Sequence, residues 1–360
     1  MPRVRISSVI SWKSRRNSLI GGVLGLAALL WAVPAWANQL RILTWANYLS
    51  PQVVARFQQE TGISVTVDTV TSYTAMIAPL LAGNQVYDVV FPADFQVTEL
   101  VAQGLLERVG VDRLANFWNV DDVWRARAFD PRNEYTIPHV WGTTAFAVDT
   151  AVYGGNMDSL RLVFQPPPSL AGRMAVVDSG FDMVQLALVW LKLPRCSTQA
   201  DNIDKVRDLL LPILRRVAVV GSDRIVQDMI DGRYALAVMW NGDALMARKR
   251  RPSLRYANPV EGSLVWSDVI AVAKGAPNRA GGQAFLSFMM RPEIAAQQSN
   301  FNGYANMIRG AEAFMDPGLL NAPEIITPPS SALDFFTHCG NGAETQQEAI
   351  WSALLREAGK

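Results

Sequence analysis

The 360-residue chain carries a formal charge of +1, and of −4 once its first 37 residues, with five Lys and Arg and no acid, are set aside. Neither figure supplies the basic surplus that phosphate binding needs, which argues against a nucleic-acid partner. Two His and two Cys without close spacing argue against a structural zinc site, and neither a low-complexity tract nor a repeat is evident.

The first 37 residues have the three-part layout of a secretory signal. Arg3, Arg5, Lys13, Arg15 and Arg16 precede an uncharged apolar run from Leu19 to Val33, and Ala35-Trp36-Ala37 supplies a small-x-small cleavage site. The run is short for a membrane span, so export with cleavage after Ala37 is expected, against the alternative of an uncleaved anchor. The Arg15-Arg16 pair fits a twin-arginine signal, but Arg pairs also occur in ordinary positive leaders, and the export route stays open. No lipobox Cys follows the apolar run, so a lipid anchor is not expected. The 323 residues that remain exceed what one core organises, and two lobes are the default expectation.

"LRILTW" (Leu40 to Trp45) reads as a strand, and Ser50-Pro51 then offers an N-cap with Pro at the first helical position. "PQVVARFQQETG" places Val53, Val54 and Phe57 on one helical face, with Gly62 as its stop. "ISVTVDTV" is the next strand, "SYTAMIAPLLAG" a helix, and "YDVVFP" a short buried strand. "ADFQVTELVAQG" is a helix with Asp94 as its expected cap. Alternation of strand and helix predicts a parallel sheet with right-handed crossovers. The pattern returns at "RMAVVDSG" and its following helix, at the capped helix "SDRIVQDMIDG", and at the strand "RYALAVMW" entering the helix that Asp243 is expected to cap. "GSLVWSDVIAVAKGA" reads as a strand returning to the first lobe, followed by a helix broken before Pro292 and a terminal helix from Thr345. The chain thus crosses between lobes several times, which makes hinges rather than one flexible linker. In an oxidising compartment Cys196 and Cys339 can pair. Their separation of 143 positions says nothing about distance, so pairing stays open.

In parallel α/β sheets ligands bind outside the carboxyl ends of the strands. Those ends carry Trp45, Asn47 and Tyr48; Ala93, Asp94 and Phe95; Asp178, Ser179 and Asp182; Trp240, Asn241 and Asp243; and Trp266 and Asp268. Aromatics and carboxylates recur there, and no Lys or Arg interrupts the set. Such a combination suits an alkyl-ammonium ligand, whose methylenes pack on π faces and whose N–H groups need carboxylate acceptors. An anionic ligand calls instead for Arg, a Gly-rich loop or bare helix N-termini. Each Trp has core packing as its ordinary alternative, and Asp94, Asp178 and Asp243 have helix capping. Asp268 has no evident capping task.

These residues resemble a family. "TWANYLSPQVVARFQQETGISV", "IPHVWGTTAFAV", "VMWNGDALMAR", "VWSDVIAVAKGAPN" and "FNGYANM" match, in order, segments of bacterial periplasmic spermidine/putrescine-binding proteins, over nearly all of residues 40–355. The resemblance implies an α/β fold of the two-lobed periplasmic-binding-protein type (type II), each lobe a mostly parallel sheet flanked by helices with the ligand between them. It implies lobe 1 at residues 38–143 and 266–312 and lobe 2 at 144–265 and 313–360. Carried over residue by residue, Trp45, Tyr48, Trp240 and Trp266 form an aromatic box, and Asp268 falls on the acid that holds one ammonium group. Asp182 aligns with a Glu of the family, and Ser179, with Asp178 beside it, falls on its other acid. Ala93-Asp94-Phe95 replaces the family's Ser-x-Tyr, placing Phe95 at a binding position, and a family Gln falls around Thr337 or His338. Half the polar anchors have changed, which leaves the ligand class in place and its exact member open.

The function so implied is that of a monomeric periplasmic component of an ABC importer. It captures a putrescine- or spermidine-like polyamine by hinged closure and delivers it to a membrane permease, with no cofactor, no metal and no catalysis. A binder of another small cationic solute is the first alternative. A second is a Cys-dependent enzyme of the same fold acting on a thiamine-like cation through Cys339 and the adjacent His338. A ferric-ion binder is disfavoured because the adjacent Tyr pair typical of that group is missing, and neither "GxSxG", "HExxH" nor a phosphate loop occurs.

Overall fold

The first strand, β1 (Gln39–Trp45), buries Leu40, Ile42 and Leu43 and carries Trp45 at its carboxyl end. The computed structural model describes residues 38–83, 86–325, 333–335, 339 and 342–360, so the expected export signal and the positions of Thr337 and His338 lie outside the described residues. Helix α1 (Pro51–Thr61) starts as the sequence dictates: Ser50 Oγ accepts the N–H of Val53 at 3.4 Å, Pro51 opens the helix, and Gly62 ends it at φ +71°. β2 (Ser64–Val70), α2 (Tyr73–Leu81), β3 (Val89–Val90) and α3 (Asp94–Ala102) complete the first alternating unit, and β1 pairs in parallel with both β2 and β3. Asp94 is not the cap of α3. Ala93 holds that position, and Asp94 Oδ2 instead accepts the N–H of Ser267 at 3.2 Å and its hydroxyl at 2.6 Å, tying the helix to a distant strand.

The long strand β4 (Thr136–Asp149) is followed by the short α4 (Arg161–Phe164), β5 (Met174–Val177), α5 (Gly180–Trp190), α6 (Ala200–Leu214), β6 (Ala218–Val220) and α7 (Ile225–Ile230). Next come β7 (Leu236–Trp240), α8 (Asn241–Arg250), β8 (Leu254–Tyr256) and β9 (Ser263–Val272). Helices α9 (Arg279–Met289) and α10 (Pro292–Asn302) flank the expected break before Pro292. The last elements are β10 (Ala305–Asn306), α11 (Pro317–Leu320), β11 (Leu333–Phe335) and α12 (Ala343–Ala358). Two expected caps do not form: α7 starts at Ile225 without a side-chain cap, and Asp243 sits inside the first turn of α8, whose capping position is Trp240.

The strands lie in the order β2-β1-β3-β9-β4-β7-β5-β6. The outer trios are parallel, as alternation predicts, but β9 is antiparallel to β3 and β4, and β4 is antiparallel to β7. The sheet is therefore mixed rather than purely parallel. The physical reason is that β4 and β9 are the strands on which the chain passes from one hydrophobic core to the other. Residues of one core run from Leu40 to Val140 and from Trp266 to Ala311. Those of the second run from Phe146 to Leu264 and include Trp351 and Leu354 of the terminal helix. Every residue of β9 is buried, as expected of a strand covered on both faces. Cys196 and Cys339 form a disulfide with their Cα atoms 5.2 Å apart, which answers the question that sequence left open.

Candidate functional site

Between the two cores lies a chamber of about 560 Å³, its open mouth included, lined by the strand ends and loops that face one another. The turn after β1 shapes one wall. Asn47 adopts φ +57°, a conformation Asn tolerates better than most residues, and the next residue, Tyr48, is buried. Its hydroxyl donates to Asp268 Oδ2 at 2.5 Å, and its ring meets Tyr304 at a centroid distance of 6.0 Å. Trp266 lies edge-on to Tyr304 at 5.2 Å. Two glycines make room for this aromatic wall. A Cβ on Gly142 would meet the Trp266 ring at 2.6 Å, and one on Gly242 would meet the Tyr304 ring at 2.5 Å.

Of the residues singled out from sequence, Trp45, Tyr48, Asp178, Ser179, Trp240, Trp266 and Asp268 all line the chamber. Asp182 and Phe95 do not. Asp182 is fully buried behind the lining, where it accepts the hydroxyls of Thr144 and Ser179, each at 2.6 Å, and the indole N–H of Trp240 at 3.3 Å. The Tyr73 hydroxyl lies near it and favours its ionised form. Phe95 is placed off the chamber by its neighbour Phe181 of α5, on which it stacks at 4.3 Å with the rings 15° apart. The apolar contact holds the ring away from the open space. Thr337 lies outside the described residues.

Asn47 and Asp243, both noted at strand ends, line it too, and the structure adds Tyr73, Thr71, Ser72, Ser222 and Tyr304. Four of these were findable. Thr71, Ser72 and Tyr73 follow β2, and Ser222 follows β6 by two residues, so the strand-end rule applied to those two strands names them. Tyr304 follows a helix, and only packing brings it in.

Electrostatically the chamber is acidic. Asp178, Asp243 and Asp268 line it without any Lys or Arg among the lining residues. Burial pushes the Asp268 carboxyl well above the ordinary range, with the Tyr48 hydrogen bond opposing and the charges of Asp94 and Asp182 adding to the rise. Burial likewise raises Asp243 to about 7, opposed by its hydrogen bond to Tyr304. Tyr48, Tyr73 and Tyr304 are themselves pushed up by burial and by these carboxylates, so they remain neutral donors. A site built in this way favours a cation, which restores the ionised form of each acid it meets. Among the described residues no three His, Cys, Asp or Glu side chains are grouped to hold a metal ion.

The family model described as bacterial extracellular solute-binding protein matches residues 52–327, well over half of the chain. The chain belongs to this family. A putrescine/agmatine-binding protein of Pseudomonas aeruginosa is 32% identical over 311 residues, covering 81% of this chain and 84% of the relative. The spermidine/putrescine-binding periplasmic protein of Escherichia coli K12 is 29% identical over 286 residues, covering 79% and 82%. Among solved structures, a putative spermidine/putrescine ABC transporter from Listeria monocytogenes superposes with a TM-score of 0.82 at 26% identity, covering 88% of this chain and 98% of its own. The fold of this solute-binding protein is accordingly the two-lobed type, with the chamber in the cleft.

The buried acids of this solute-binding protein make its folding depend on pH in a definite direction. An acid whose pKa is higher in the fold than in the unfolded chain contributes stability at low pH that is lost as pH rises through the folded value. Asp94 is raised to about 6 and Asp243 and Glu348 to about 7, each chiefly by burial. Resistance of the ligand-free protein to urea is therefore expected to rise by about 1 kcal/mol or more as pH falls from about 8 to 6.5. Below that, His139, held neutral by burial at about 3, works against the trend. An unchanged urea midpoint across that interval would show that these carboxyls are solvated.

Proposed function

We propose that this chain is the periplasmic solute-binding subunit of an ABC importer and that its cleft captures a polyamine of the putrescine or spermidine kind. The observation that carries the reading is the chamber itself. Three carboxylates and six aromatic side chains (Trp45, Tyr48, Tyr73, Trp240, Trp266 and Tyr304) line it with no cation among them, the chemistry an alkyl-ammonium ligand requires. The activities named for relatives similar over most of the chain support the same class.

In this mechanism the solute enters between the lobes, indole and phenol faces take up its methylenes, and carboxylates accept its ammonium N–H groups. Closure follows because the closed form offers walls from both lobes and so binds the cation better than the open form. We assign lobe 1 to residues 38–143 and 266–312 and lobe 2 to 144–265 and 313–360, with the hinge where β4 and β9 cross from one core to the other. The closed monomer is then read by a membrane permease. The role is capture, not turnover: Cys339, the one thiol considered as a nucleophile, is in a disulfide with Cys196, which removes support from the enzyme reading.

Calorimetry on the mature chain, residues 38–360, with putrescine, spermidine, spermine and agmatine tests the proposal. Binding of at least one amine is expected, with quenching or a shift of Trp fluorescence, since Trp45, Trp240 and Trp266 all line the chamber. Silence with all four amines, alongside tight binding of an amino acid or a sugar, would overturn it.

A further inference from the structure

The Asp182 side of the cleft is already occupied by the protein. An ionised carboxylate offers roughly four acceptor positions. Asp182 receives the hydroxyls of Thr144 and Ser179 and the indole N–H of Trp240, so three of its acceptor positions are already taken by protein donors. Asp268, by contrast, receives one side-chain hydrogen bond, from Tyr48, and Asp243 one, from Tyr304. Both acids line the chamber. The difference decides which carboxylates can take an ammonium group.

Tyr73 is the residue that closes this side. It opens α2, where Ser72 Oγ caps the helix by accepting the N–H of Ala75 at 3.3 Å, so its backbone is fixed at the rim. Its ring is held edge-on by Trp45 at 5.3 Å, by Phe95 at 4.8 Å and by Phe181 at 6.1 Å. Trp45 belongs to the first core and Phe181 lies on α5, so the ring is clamped from both sides of the cleft. Behind it the Phe95–Phe181 stack, with Ala93, forms a small apolar cluster against which the ring packs.

We infer that Tyr73 is a specificity-determining residue that stands where a longer amine would extend, so that the cleft takes a short α,ω-diamine and rejects a triamine. This rests on the polyamine reading of the same site. One ammonium is served by Asp268 and Asp243, the other by Asp178 with Ser179 and Ser222, all of which line the chamber. A further aminopropyl arm would have to displace the Tyr73 ring from the Trp45, Phe95 and Phe181 edges that hold it.

The test is calorimetry on the mature chain with diamines of three to six carbons, spermidine and spermine, repeated on Tyr73→Ala and Tyr73→Phe. The wild-type chain is expected to prefer a diamine over spermidine by about 10- to 100-fold. Tyr73→Ala is expected to remove most of that preference, weakening diamine binding while gaining on spermidine, with an unchanged far-UV circular dichroism spectrum and cooperative thermal transition reporting that the variant is folded. Tyr73→Phe keeps the ring and is expected to keep the preference. Equal affinity of the wild-type chain for putrescine and spermidine overturns the inference alone and leaves the polyamine reading standing, whatever the variants do. An unchanged ratio in Tyr73→Ala also overturns it. Absence of heat with every amine overturns both.

Discussion

Asp268→Asn lowers the affinity of the mature chain for its amine by at least about 100-fold, the scale set by removing one partner of a buried charge pair. The carboxylate sits on β9, 6% exposed, with the Tyr48 hydroxyl on Oδ2 and no Lys or Arg lining the chamber around it. Asn keeps the shape and can still accept from Tyr48, but it carries no charge to meet an ammonium group and brings two N–H donors toward another donor. Binding measured by calorimetry should therefore fail through lost affinity while the thermal transition of the ligand-free protein is kept or raised, because the amide removes a carboxyl that burial already disfavours when ionised. Affinity within a factor of a few of wild type would move the anchor elsewhere, to Asp243 or Asp178.

Replacing both Cys196 and Cys339 by Ser is expected to cost about 2–4 kcal/mol of stability, read as a lowered urea midpoint. The bond closes a loop of 143 positions, so its removal restores much conformational freedom to the unfolded chain. It also has a local consequence. Cys339 packs against the cluster of Ala93, Phe95 and Phe181 that backs Tyr73, and the Gln185 amide, 3.9 Å from its sulfur, bonds in turn to Gln347 of α12 at 2.7 Å. Loss of the bond should therefore weaken the cleft wall on that side as well as the fold. An unchanged midpoint in oxidised wild type and double variant would mean that the pair contributes nothing in solution.

Much of the architecture was legible from local pattern. Ser50 before Pro51, Gly62 after a helical face, and the break at Pro292 each act through the backbone within a few residues, and each appears where the sequence places it. The orientation of β4 and β9 was not legible in this way. Alternating strands and helices read as parallel, and nothing in "GSLVWSDVIAVAKGA" records that the strand lies between β3 and β4 and antiparallel to both. The same limit separates the acids. Asp94 and Asp243 both occupy positions in sequence where a cap is the ordinary expectation, yet Asp94 reaches Ser267 across 173 positions and Asp243 meets Tyr304.

By itself the sequence determined the alternating α/β grammar, the aromatic and acidic residues at strand ends, and the absence of cations among them. Those are properties of residue type and short spacing, and they suffice to name a cleft suited to a small cation. Only the tertiary structure decided which of those residues share the chamber. Asp182 and Phe95 lie at strand and helix ends like the others, but Asp182 is held by three donors drawn from different elements, and Phe95 is stacked on Phe181. A side chain is available to a ligand only if no protein group has already satisfied it, and that depends on contacts between residues tens to hundreds of positions apart.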